Sequence, residues 1–175
     1  MTTLKISIRA EDHAQGDEQA VVTLVEYGDY QCPHCGRAHP IVKRVQKHFG
    51  KQLRFVFRNF PLKEIHLQAE LAAETAEFAA AGGKFWEMHD LLFENQSRFS
   101  PPFFEEAAQK LGLDPAALRE SLSTGQYGAH VRSDFMSGAR SGVNGTPTFF
   151  INGERHDGSW DYEDLVAAIQ AALAA

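Results

Sequence analysis

Apolar residues along this chain follow two kinds of spacing, and the switches between them outline a fold. Val21-Val22-Thr23-Leu24-Val25-Glu26-Tyr27 is a nearly continuous run of β-branched and large apolar residues. That is the pattern of a strand buried on both faces. Gly28-Asp29-Tyr30-Gln31 then turns the chain. From Pro33 to Phe49, the residues Ala38, Ile41, Val42, Val45 and Phe49 share one helical stripe while Lys43, Arg44, Lys47 and His48 face away, and Gly50 supplies a stop. Leu53 to Phe60 sets Leu53, Phe55 and Phe57 against Arg54, Val56 and Arg58, predicting a strand with one more polar face, ended by Pro61. Strand, helix and strand make a βαβ unit with parallel strands and a right-handed crossover. Leu4 to Ile8 also alternates and predicts a short edge strand, whereas polar Glu11 to Gln19 predicts a loop with His13 at the surface.

Beyond Glu64 the period changes to helical and stays so to about Arg140. Ile65 to Ala81 is rich in Ala, Leu and Glu, and Lys84 to Asn95 repeats Phe85, Met88, Leu92 and Phe93 at helical spacing. Ser100-Pro101 and Asp114-Pro115 are helix starts, and Tyr127, Val131 and Phe135 mark a longer helix. The strand pattern returns in Thr148-Phe149-Phe150-Ile151, and Asn152-Gly153 is a strong hairpin signal that makes Glu154 to His156 the antiparallel partner. Tyr162, Leu165, Val166, Ile169 and Leu173 form one face of a closing helix.

Composition narrows what this pattern can serve. With 175 residues, 43% of them hydrophobic and 13 of them Phe, the chain can bury one sizeable core. A net charge of −6 and the lack of a basic stripe give no footprint for nucleic acid. No apolar run approaches 18 residues, so no membrane span is expected.

The only two cysteines stand three apart in Cys32-Pro33-His34-Cys35, where a strand hands over to a helix N-terminus. A pair at this spacing can close a small disulfide, and with no third cysteine any exchange finishes within the pair or with an outside partner. The attacking species is the thiolate, and the free N–H groups and dipole of a helix N-terminus stabilise it, bringing a cysteine pKa from about 8.5 into a range of about 3.5 to 7.5. Pro33 fits the first turn because its missing N–H would have had no partner there. His34 is expected to set a tunable donor or positive charge beside the sulfur. Cys32 is then the nucleophile and Cys35, one turn further in, the resolving thiol. Two other uses compete. The pair could be half of a zinc site with His34 or His39, but the second C-x-x-C is absent. A structural disulfide closing so short a loop would remove little chain entropy.

These residues resemble the thioredoxin-like disulfide oxidoreductases, and within them the DsbA-like group, whose active-site string has Pro-His between the cysteines. Glu26, six residues before Cys32, stands where that family carries a buried acid. Gly145-Thr146-Pro147-Thr148 resembles the family's cis-proline loop, and Gly83 to Asp90 resembles a helical segment of the DsbA-like branch. The resemblance implies an α/β, thioredoxin-like fold in which residues 1–63 and 141–175 form the thioredoxin-like domain and 64–140 an inserted helical subdomain. It implies protein thiol–disulfide exchange with protein or peptide thiols and disulfides, a redox partner that resets the pair, and no cofactor or metal. Thr146 and Pro147 would then hold an extended substrate chain by backbone pairing. Glu26 is either a solvent-facing carboxylate at a strand end or, if buried, an acid of raised pKa that accepts the proton of Cys35. Thr146 departs from the valine of DsbA itself and is closer to the related isomerases, which leaves the direction of exchange open between an oxidant and a reductase or isomerase.

His66, His89 and His130 lie in the helical stretch, and no pair of them has the i, i+4 spacing of a helical zinc motif. A zinc-holding or chaperone-like binding module is the reading from another class. Met1 to Ala20 lacks the apolar core of a signal peptide, which predicts a cytoplasmic address, or a periplasmic or extracellular one if a signal was removed.

Overall fold

The computed structural model describes residues 2–175. Its centre is a mixed five-stranded sheet in the order β1-β3-β2-β4-β5, built from β1 (His13–Gln15), β2 (Val22–Gly28), β3 (Leu53–Asn59), β4 (Thr148–Ile151) and β5 (Glu154–His156). Strands β2 and β3 are parallel, in register from Val22 opposite Leu53 to Gly28 opposite Asn59, and helix α1 (Pro33–Phe49) crosses between them. The other pairings are antiparallel, including the β4–β5 hairpin at Asn152-Gly153. Asn152 takes φ 47° and Gly153 φ 84°. Both values suit the mirror-image turns that match strand twist, and they explain why Asn-Gly was so informative.

Five helices separate β3 from β4: α2 (Ala69–Ala81), α3 (Phe85–Glu94), α4 (Pro101–Lys110), α5 (Pro115–Thr124) and α6 (Gly128–Arg140). Their starts follow the sequence signals, since Ser100 Oγ accepts from the Phe103 N–H and Asp114 Oδ1 from the Ala116 N–H. Helix α2 begins four residues later than the Ala-rich pattern suggests. Residues 65–68 form turns instead, with Ile65 and Leu67 exposed. Helix α7 (Tyr162–Ala174) closes the chain against α1. The architecture is thus the α/β, thioredoxin-like fold with a helical insertion.

Each face of the sheet has its own core. Val22, Leu24, Phe55, Phe57, Phe149 and Ile151 join the helices in the larger one. Val25, Tyr27, Val56 and Phe150 join Phe60 and Val143 in the smaller, with Leu4, Ile8 and Phe135 against it.

Two local expectations fail, for one reason. Leu4 to Ile8 forms no strand, because its backbone serves other partners: Ile6 O and Ser7 O accept from the Arg58 guanidinium at 2.9 and 2.8 Å, and Lys5 N–H donates to Ser141. The edge strand is His13–Gln15 instead, paired to β3. His13 is therefore not a free loop residue, and its ring stacks on Phe85 at 3.6 Å. Arg58 in turn is fully buried, its guanidinium bound by Asp12 at 2.7 and 2.9 Å and donating to the Tyr27 hydroxyl. The more polar face of β3 is a covered one.

Candidate active site

Helix α1 has no side-chain cap. Cys32 occupies the cap position with extended backbone, and Pro33 opens the helix. The backbone N–H groups of Cys35 and His34, left free by the helix geometry, are directed at the Cys32 sulfur. The Cys35 thiol donates to the same sulfur and is the largest influence on it. With the Thr146 hydroxyl added, these donors outweigh burial and lower the Cys32 pKa to about 5. Cys35 goes the other way. Complete burial, its hydrogen bond to Cys32 and the repulsion of Glu26 push its thiol well above the ordinary range, and only the Asp29 N–H, 3.5 Å from its sulfur, opposes them. Both cysteines are free thiols, so the pair consists of one sulfur ready to ionise and one held protonated.

The loop before β4 faces this pair. Its Thr146–Pro147 peptide bond is cis, and the Cys32 thiol donates to the Thr146 carbonyl at 3.5 Å. The buried Thr146 Oγ1 makes no hydrogen bond among the described residues, which leaves its hydroxyl free to turn toward the Cys32 sulfur, whose pKa it lowers. Thr148 Oγ1 donates to Gly145 O at 2.8 Å and ties the loop to its strand. Pro147 borders a groove of about 160 Å³ shared with Arg155, His156 and Trp160.

Glu26 lies within the sheet between Phe57 of β3 and Phe149 of β4, on the α1 face. It is 2% exposed, and its Oε1 has no hydrogen-bond partner among the described residues. Desolvation first, and then the charge of Cys32, raise its pKa to about 8. The solvent-facing alternative for this residue does not hold. His34 is placed differently from the expectation: its exposed ring accepts at Nδ1 from the Arg37 guanidinium at 2.7 Å, and what it offers the sulfur is its backbone N–H.

Several residues that carry the site had no signal in the sequence. The Asp29 carboxylate accepts from the Gln31, Cys32 and Leu62 N–H groups and meets His66 at 2.8 Å, so it fixes the turn that delivers Cys32. Gln96, from the helical insertion, donates to the carbonyls of Tyr30 and Cys32 at 2.8 Å each. Its amide packs so closely on α1 that a Cβ at Gly36 would lie 2.2 Å from Gln96 Oε1, and that glycine was the one local hint. The Tyr30 hydroxyl meets His89 Nδ1 at 2.9 Å.

Among the described residues, two groups of side chains each bring three potential metal donors within 4.8 Å of one another: His13, Glu77 and His130, and His39, His89 and Asp90. Neither includes a cysteine, so His39 stands apart from the pair it was paired with above. His130 also has Asp134 at i+4, 3.7 Å away.

With this geometry in hand, comparison with known proteins is informative. The thioredoxin family model matches residues 9–171. The structure of BdbD from Bacillus subtilis superposes with a TM-score of 0.85 at 26% identity, covering 94% of each chain. A thioredoxin-like oxidoreductase from Silicibacter pomeroyi gives 0.81 at 26%, covering 95% of each. Wolbachia pipientis alpha-DsbA1 gives 0.82 at 18%, covering 95% of this chain and 93% of that one, a likeness of fold alone. Among curated sequences, the Na(+)/H(+) antiporter NhaA 1 of Salinispora arenicola is 44% identical over 163 residues, 93% of this chain but 25% of that protein. The chain therefore spans about a quarter of the length of such relatives, and no helix among its described residues is long and apolar enough to cross a membrane. Family model, sheet order and helical insertion agree: the chain belongs to the thioredoxin family, and its fold is that of the DsbA-like members.

Proposed function

We propose that the chain is a protein thiol:disulfide oxidoreductase of DsbA type that works through Cys32 and Cys35. The observation that carries this reading is the opposite tuning of the two sulfurs, with Cys32 lowered to about 5 and Cys35 held protonated beneath it. In the oxidising direction a substrate thiolate attacks Cys32 of the disulfide, Cys35 leaves and takes a proton from Glu26, and a second substrate thiol releases Cys32 from the mixed disulfide. In the reducing direction Cys32 attacks, Glu26 accepts the Cys35 proton, and Cys35 displaces the substrate. The Thr146 carbonyl and the groove beside Pro147 would hold an extended peptide by strand-like pairing. The substrates are protein or peptide thiols and disulfides, and a separate redox partner resets the pair.

The electrostatics favour the oxidising direction. A thiol of pKa about 5, compared with about 8.5, gains roughly two pKa units of stabilisation at pH 7, or on the order of 60 mV toward a more oxidising couple. A pair so tuned works in an oxidising compartment. The cytoplasmic address expected from the N-terminal residues gains no support, and a structure matched at 23% identity is described as a periplasmic thioredoxin-like protein. Antiport is said of the curated relatives, whose chains are about four times as long. We assign to this part of them the thiol chemistry alone.

The deciding measurement is the equilibrium reduction potential of Cys32/Cys35 in glutathione buffers, with metal analysis on the same sample. A couple more oxidising than glutathione is expected. A value as reducing as thioredoxin would favour the reductase, and stoichiometric zinc without a reversible couple would overturn both.

A further inference from the structure

With its pKa raised to about 8, Glu26 holds a proton at pH 7 and can take that of Cys35 only after its own has passed to solvent, yet its carboxyl is sealed in the sheet. Next to it lies a cavity of about 10 Å³, room for one water, whose polar lining is Glu26, Gln15, His39, Lys43, Gln46, His89 and Asp90. Two of these side chains carry a buried polar atom with no hydrogen-bond partner among the described residues, Glu26 Oε1 and His39 Nε2. Buried polar groups without partners are rare in folded proteins, and two around a cavity of this size call for a bridging water. His39 Nε2 is also 3.4 Å from Asp90 Oδ1, without forming a hydrogen bond, and Asp90 is 35% exposed. A path from the buried acid to bulk water thus runs through one water and one imidazole.

We propose that His39 is a positioning residue that, through a single water in this cavity, carries protons between Glu26 and Asp90 at the surface. The proposal rests on the thiol-exchange reading above. In the reducing direction the Cys35 S–H bond breaks and its proton goes to the Glu26 carboxylate. The freed electron pair forms the bond to Cys32 as the Cys32–substrate bond breaks, and the substrate leaves as a thiolate. The Glu26 proton passes to the water, which gives one of its own to His39 Nε2, and from there it reaches Asp90 and solvent. The oxidising direction runs the same transfers backward. No other reactant is required.

The surroundings suit His39 to this task. Facing it are Glu26 from β2, His89 and Asp90 from α3, and Lys43 from its own helix. Burial, with Lys43 assisting and Asp90 opposing, holds His39 below the ordinary imidazole range, and burial holds His89 lower still. Lys43 is already bound to Asp90, so the positive charge that a metal would bring to the His39, His89 and Asp90 group is supplied by the protein.

The test is a single-turnover measurement of Cys35 resolving a glutathione mixed disulfide on Cys32, in the full chain. His39→Gln keeps a polar side chain but cannot take up a proton. It is expected to slow resolution on the order of ten- to a hundredfold at pH 7, the lower part of what proton-transfer groups contribute. The reduction potential should stay unchanged, and added imidazole should restore part of the rate to His39→Ala. In the Glu26→Gln background, His39→Gln should add no further loss. A wild-type resolution rate in His39→Gln, a potential that moves with the rate, an additive double variant, or stoichiometric metal bound at His39 would each overturn the proposal. If Glu26→Gln slows resolution and His39→Gln does not, the relay falls and the exchange reading stands. If the wild-type pair has no reversible couple, the exchange reading itself falls and takes the relay with it.

Discussion

At the scale of single residues, the site is set by what each sulfur and carboxyl can bond to. The Thr146 hydroxyl serves the Cys32 sulfur, so Thr146→Val should raise the Cys32 pKa by roughly half a unit to one unit, a shift a thiolate absorbance titration can follow. His34→Ala should move it less, because the His34 group that reaches the sulfur is a backbone N–H that alanine retains. Glu26 carries the larger energy. Its pKa is raised from 4.5 to about 8, so the native state holds the proton more tightly than the unfolded chain does, and stability falls as pH rises through that window. Glu26→Gln should therefore stabilise the reduced protein by about 2–5 kcal/mol at pH 8 and by little near pH 4.5, measured by urea denaturation at both pH values. A variant no more stable at pH 8 than at pH 4.5 would place Glu26 in contact with water.

At the scale of elements, packing between the helical insertion and the sheet holds the turn that carries Cys32. Gln96 and Tyr30–His89 join the insertion to the residues around Cys32, and Asn59 at the end of β3 donates to Asp134 of α6 and Glu77 of α2. Helix α6 lies close to the sheet at Gly138, where a Cβ would stand 2.8 Å from the Phe60 ring and 2.9 Å from that of Tyr27. Both rings are buried in the smaller core and have little room to yield. Gly138→Ala is expected to cost about 1–3 kcal/mol of overpacking, read from its denaturation midpoint. A neutral effect would mean that α6 can ride away from the sheet.

At the scale of the whole molecule, redox state and stability are linked through Cys32. Only the reduced protein has the thiolate, and its folded pKa of about 5 lies below the unfolded value of about 8.5. The stabilisation is complete above the unfolded value, partly present at pH 7, and lost as pH falls through about 5. The melting temperature of the reduced form should thus exceed that of the oxidised form at pH 7, and Cys32's share of the gap should vanish below pH 5, as paired calorimetric scans can establish. A gap independent of pH would mean that the thiolate does not couple stability to redox state, and would count against the proposed oxidising direction.

Short-range pattern made much of this molecule legible from its sequence. The run from Val21 to Tyr27, the stripe from Pro33 to Phe49, the capping pairs Ser100-Pro101 and Asp114-Pro115 and the Asn152-Gly153 turn each act within a few residues, so their elements could be read in place. The placement of Cys32 and Cys35 at a helix start was legible for the same reason. What remained hidden depends on partners far along the chain. Arg58 looks like a surface residue of an alternating strand until Asp12, Ile6 and Ser7 enclose it, and that enclosure is why Leu4 to Ile8 is not a strand. Gln96 lies 64 residues from Cys32, and His39 meets Asp90 across two helices. Periodicity records which face of an element is apolar. Which polar groups are buried together, and so how each titrates, is decided only when the sheet and the helical insertion close on one another.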